Sequence, residues 1–165
     1  EHVPRDPDRI AVIDDEVRWS YGELADLTLR TARMLSDLGV RPGDPVAVQV
    51  PTCSLLPLVN LAANRVGAYM VAMPTRWGRA EVGALLKVIG AEVLIGVETD
   101  GAVDVRALHQ QVRPDLPGLR EGLYARTGLP NSFESRVRAT EPRDAARAAA
   151  RRCDPDRPAH LMCSS

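Results

Sequence analysis

Short apolar runs alternate along the chain with stripes of apolar residues spaced three and four apart, a pattern of strands separated by helices. Residues 10–13 and 16–19 flank Asp14 and Asp15, which predicts a hairpin with a two-residue turn. Ser20 and Glu23 have the spacing of a capping box, in which each side chain satisfies a backbone N–H at the other's end. Leu24, Leu27, Thr31, Met34, Leu35 and Leu38 follow as one buried helical stripe that Gly39 closes. A turn at 41–44 leads into an apolar strand at 46–50. Ser54 is placed to cap a second helix reaching Val66, with Pro57 tolerated in its first turn. Few of that helix's positions are polar, which predicts cover on most sides. Gly67 ends it, and residues 69–73 form the next strand. Val82, Leu85, Leu86 and Ile89 mark a third helix closed by Gly90, and residues 93–95 are again a strand.

These strands lack the polar alternation of a sheet with one wet face. Apolar strands separated by helices imply an α/β fold, with parallel-sheet layers covered by helices and right-handed crossovers. Beyond residue 96 the pattern weakens. Helical patches are expected near 104–112 and 142–152, a strand around 120–125, and a last buried strand from Ala159 to Cys163. No internal repeat is present.

Composition narrows the class without changing it. The 165 residues are 45% hydrophobic and 26% charged, the balance of a globular chain rather than a disordered or collagenous one. No apolar run reaches the ~20 residues of a membrane span, and the first residues lack a signal-peptide pattern. Net charge is −1 with the two signs interleaved, so no basic face for nucleic acid is expected. Lys87 is the single lysine and the other 20 basic residues are arginine, a coding bias rather than a chemistry. Cys53, Cys153 and Cys163 are odd in number and unpatterned, which points to a reducing cytoplasm.

Candidate chemistry in single residues is thin. His160 and Cys163 lie three apart on a strand, so they point to opposite faces and do not converge on one ion. Cys53 and Cys153 lack ligand spacing and read as small buried hydrophobes. Asp14 and Asp15 resemble paired catalytic carboxylates, but adjacent residues at a hairpin tip serve turn geometry. Arg143, Arg147 and Arg151 form a basic stripe that Glu141 and Asp144 turn into an ordinary solvated face. Neither the dinucleotide fingerprint nor the triphosphate-binding loop with its lysine is present.

Three stretches, taken together, resemble the N-terminal region of the adenylate-forming (AMP-binding) enzymes: acyl-CoA synthetases, peptide-synthetase adenylation domains and luciferase-like ligases. Trp19-Ser20-Tyr21-Gly22-Glu23-Leu24 is similar to the family's early Leu-Thr/Ser-Tyr-x-Glu-Leu motif. The stretch from Asn64 to Pro74 is similar to Leu-Lys-Ala-Gly-Ala-x-x-Val-Pro. The stretch from Ala159 to Ser165 is similar to the strand leading into the phosphate loop, Tyr-Thr/Ser-Ser-Gly-Thr-Thr-Gly-x-Pro-Lys. Order and spacing match the family as well. The likeness is close over residues 8–96, loose over 97–152, and returns at 153–165. Met70, Ala72, Met73 and Cys163 depart modestly from the usual residues.

The resemblance implies that residues 1–165 are the N-terminal portion of an AMP-binding domain, an incomplete part of the large domain, truncated at the start of the phosphate loop. Ser164 and Ser165 align with the loop's first hydroxyl residues and are the cofactor-binding candidates; no catalytic residue and no metal ligand are assigned. The parent is expected to join a carboxylic acid to AMP from ATP, with Mg²⁺, and to pass the acyl group to coenzyme A rather than to a carrier protein. The chain by itself is expected to be inactive, and poorly soluble through an unpaired last strand. Its partners are the acid, ATP and CoA in the parent, with no nucleic acid and no membrane span, and a homo-oligomer or the missing remainder of the enzyme beside them. The alternative is a non-catalytic truncated relative acting as a protein-interaction module.

Overall fold

The computed structural model describes residues 6–141 and 158–162. Strands β1 (Ile10–Ile13) and β2 (Arg18–Ser20) form an antiparallel hairpin with a register irregularity between Ile10 and Val12. Its tip is one residue later than expected. The Asp14 amide donates to the Val17 carbonyl, which leaves Asp15 and Glu16 as the central pair. Helix α1 (Tyr21–Asp37) starts at Ser20 with the full capping box and buries Leu24, Thr28, Thr31, Ala32, Met34 and Leu35. Gly39 follows with φ +89, the left-handed closure that glycine accommodates without a Cβ penalty.

Next come β3 (Pro45–Gln49), α2 (Leu55–Val66), β4 (Tyr69–Ala72), α3 (Arg79–Ile89) and β5 (Val93–Val97). A small antiparallel pair, β6 (Thr99–Asp100) and β7 (Val103–Asp104), precedes α4 (Val105–Val112), which Asp104 caps. A 3₁₀ turn (Arg113–Asp115) leads to β8 (Glu121–Ala125), α5 (Phe133–Ala139) and finally β9 (His160–Met162).

Five strands form one sheet in the order β8-β5-β3-β4-β9, and every pairing in it is parallel. Residues alternate between its faces. Val46, Val48, Met70, Ile95 and Leu123 pack with α1, α2 and α5, while Ala47 and Leu94 pack with α3 and the far half of α4. The two helical layers follow from direction. β3 to β4 steps one way across the sheet with α2 on the first face; β4 to β5 steps back across β3 with α3 on the second. A constant crossover hand requires that change of face. The apolar runs at 46–50, 69–73 and 93–95 are thus the buried strands of a doubly covered sheet.

Three expectations need correction. The Ser54 side chain makes no capping bond to α2; the Ser54 amide instead donates to Asp14 Oδ2 at 2.8 Å. The last strand is not buried: His160 and Leu161 are exposed, because among the described residues β9 is a sheet margin with β4 alone beside it. The hairpin β6–β7 and helix α5 stand where no element was expected. The helical patch expected at 142–152 lies outside the described residues.

Candidate functional site at the carboxyl edge of the sheet

In an open parallel sheet, ligands bind beyond the carboxyl ends of the strands, where neighbouring strands send their connections to opposite faces. Here β3 and β4 meet that condition, since their following helices α2 and α3 cover opposite faces. Residues 50–54 leave β3 and residues 74–78 leave β4 at this edge. β9 runs parallel to β4, with Met70 opposite His160 and Ala72 opposite Met162, so β9 ends at this same edge.

Beneath the edge lies a fully buried amide. Gln49 ends β3 with no exposed surface, and its Nε2 donates to the carbonyls of Pro74 at 2.9 Å and Trp77 at 3.4 Å. Two carbonyls facing one atom require that atom to be the nitrogen, so Oε1 faces His109 Nε2, 2.6 Å away. Oε1 only accepts, which places the imidazole proton on Nε2 and the lone pair on Nδ1. That Nδ1 is buried without a partner. Burial pushes the His109 pKa down to about 4, so the ring is neutral near neutrality. The ring lies 5.7 Å from Tyr124 and over Gly96, where an added Cβ would sit 2.8 Å from Cε1.

On the other side of the edge, the Asp14 carboxylate takes four donors and joins three segments: its own hairpin, the stretch before α2, and the residue after β8. Oδ1 accepts from the amides of Glu16 and Val17, both at 2.9 Å; Oδ2 accepts from the Ser54 amide and from Arg126 Nη2 at 3.1 Å. Burial opposes ionisation of this carboxyl, but the bonds from Ser54, Glu16 and Val17 outweigh it and hold its pKa well below the carboxylate range. Arg126 follows β8 in a left-handed conformation, φ +56, held by the hydrogen bond its backbone N–H donates to Glu134 Oε1 and by its guanidinium contact with Glu16. The adjacent Cys53 thiol is buried and its pKa is raised, chiefly by desolvation, so it stays protonated and inert.

A groove of about 650 Å³ runs along the outer edge of β8, lined among others by Arg106, Tyr124 and Arg136. Both arginines are already engaged, Arg106 with Glu98 and Arg136 with Glu121.

Of the residues singled out in the sequence, the structure places Asp14 at the carboxyl edge and Asp15 at the exposed hairpin tip. The turn reading of Asp14 is incomplete, since the same carboxylate also secures Ser54 and Arg126. Ser164 and Ser165 lie outside the described residues, as do Cys153, Cys163, Arg143, Arg147 and Arg151. Gln49 and His109 were not singled out. A signal existed for each: Gln49 interrupts an apolar strand run, and His109 occupies the stripe of α4 with Val105 and Val112. Among the described residues no group of three or more His, Cys, Asp or Glu side chains is placed to hold a metal ion. No step through Mg²⁺ is derived from them.

The family model of the AMP-binding enzymes matches residues 1–165. The chain belongs to the AMP-binding enzyme family. Within it, the chain is 30% identical over 154 residues to the 2-hydroxy-7-methoxy-5-methyl-1-naphthoate–CoA ligase of Streptomyces carzinostaticus, covering 93% of this chain and 27% of that protein. It is 32% identical over 134 residues to the salicyl-AMP ligase/salicyl-S-ArCP synthetase of Mycobacterium tuberculosis, covering 78% of this chain and 23% of the relative. The apo structure of MbtA from Mycobacterium smegmatis superposes with a TM-score of 0.74 at 30% identity, covering 94% of this chain and 28% of that one. The chain therefore spans about a quarter of the length of these relatives. Among the described residues, none of its helices is long and apolar enough to cross a membrane.

Proposed function

We propose that this chain is the N-terminal part of an AMP-forming acid–thiol ligase. The parent activates a carboxylic acid with ATP, releasing pyrophosphate, and then transfers the acyl group to a thiol. The carboxylate oxygen attacks the α-phosphorus, the bond to the pyrophosphate oxygen breaks, and the thiol sulfur later displaces AMP from the acyl carbon. Cations that neutralise the phosphates lower the first barrier. Coenzyme A is the favoured thiol, and ATP, Mg²⁺ and CoA belong to the parent rather than to the quarter represented here.

The observation that carries the reading is the placement of β9. It lies parallel to β4, so β9 ends at the carboxyl edge of the sheet, beside the switch between β3 and β4. Ser164 and Ser165 are on this reading the first hydroxyl groups of the phosphate-binding segment. The described part supplies the sheet and the crevice wall, and the isolated 165-residue chain is inactive.

Grafting tests this. Residues 1–165 replace the matching segment of the naphthoate–CoA ligase, and carboxylate-dependent exchange of pyrophosphate into ATP is measured on the graft and on the 165-residue chain. Exchange by the folded graft and none by the chain alone is expected. A folded graft without exchange would overturn the ligase reading, and exchange by the chain alone would overturn its inactivity.

A further inference from the structure

We infer that Gln49 and His109 are positioning residues for the turn at 74–77, and through it for one wall of the crevice in which the proposed ligase reaction takes place. The inference rests on that ligase reading only for the reaction; the positioning itself stands on the geometry.

The turn closes with a bond from the Trp77 amide to the Pro74 carbonyl at 3.1 Å. The same Pro74 carbonyl also accepts from Gln49 Nε2, which reaches the Trp77 carbonyl as well. One buried amide thus bridges both ends of a four-residue turn from below. Arg76 is exposed at the turn, while Trp77 packs against the cluster of α3 and the far half of α4. The turn runs directly into α3, where the Gly78 amide donates to Glu81 Oε2.

Gln49 needs a second constraint, because an amide on a flexible side chain rotates unless its oxygen is also held. His109 supplies it through Nε2, from a helix on the sheet face that Gln49 points to. The neutral ring has one N–H, and the bond to Oε1 uses it. The chain of contacts is therefore directional: His109 orients Gln49, and Gln49 fixes the turn that follows β4.

Amide exchange on the 165-residue chain separates this role from ordinary core packing. In Gln49→Glu the carboxylate keeps an acceptor toward His109 but turns an oxygen toward two carbonyls. Exchange of the Trp77 amide is expected to rise about tenfold or more, relative to the Leu94 and Ile95 amides in the same molecule. Gln49→Met, which fills the space with an apolar side chain, is the second variant and should show the same local gain if Gln49→Glu fails to fold. His109→Phe should loosen the same turn and His109→Gln, which restores an N–H donor, should return it toward the original protection. Equal changes at the turn and at β5, or an unchanged turn in Gln49→Met, would overturn the positioning.

For the reaction, Gln49→Met in the folded graft should lower carboxylate-dependent exchange at saturating acid. Unaltered exchange would overturn the functional half of the inference. A graft that is inactive before any substitution would count against the ligase reading instead, since the turn is measured on the 165-residue chain.

Discussion

Four donors converge on the carboxylate of Asp14: the amides of Glu16, Val17 and Ser54, and the guanidinium of Arg126. A neutral amide of the same shape cannot accept on both sides, because its NH₂ meets at least one pair of donors. Asp14→Asn is therefore expected to cost about 1–3 kcal/mol, read from urea denaturation at pH 7. The pH dependence has a definite sign. A carboxyl whose folded pKa is depressed stabilises the fold above its unfolded value, near ~4, and loses that contribution as pH falls toward the lowered value. Between pH 4 and pH 2 the original chain should lose stability more steeply than Asp14→Asn.

At the level of elements, the glycines closing α2 and α3 give an internal comparison. Gly67 has φ +79 and Gly90 has φ +65, so an alanine at either strains the backbone. Only Gly67 is also crowded: an added Cβ would lie 3.1 Å from Pro42 Cβ, whereas nothing lies within 4 Å at Gly90. Gly67→Ala is expected to destabilise by about 1–2 kcal/mol, and by more than Gly90→Ala, in thermal unfolding. Where an element combines a cap, a stripe and a closing glycine, as α1 does from Ser20 to Gly39, its place was legible in the residues alone. Helix α5 was not, since Phe133 and Val137 are its only buried apolar residues and two points define no period. The β6–β7 pair is two residues per strand, too short for alternation to register. Residues 159–163 read as buried because an apolar run has the same appearance in a central strand and at a margin. The Gln49–His109 pair stayed hidden because its members are 60 residues apart and meet only once β3 and α4 are packed.

For the whole molecule, the same buried imidazole links pH to global stability. The His109 pKa lies near 4 when folded, against about 6.5 in an unfolded chain. As pH falls through that window the unfolded chain takes up a proton that the folded one refuses, so stability decreases, by an amount on the order of 3 kcal/mol. His109→Gln removes this titration. Its unfolding free energy, followed by denaturant titration between pH 7 and pH 4, should slope less than that of the original chain.

The margin position of β9 also bears on the time order in which the sheet closes. Met70 meets His160 across 90 residues of chain, whereas Pro45 meets Tyr69 across 24. Loop-closure entropy grows with the logarithm of that separation, so joining β9 to β4 costs about 1 kcal/mol more than joining β3 to β4. A non-local parallel pairing with one neighbour has the least to repay that cost. Strand β9 is accordingly expected to dock late, onto a sheet already formed from β3, β4 and β5.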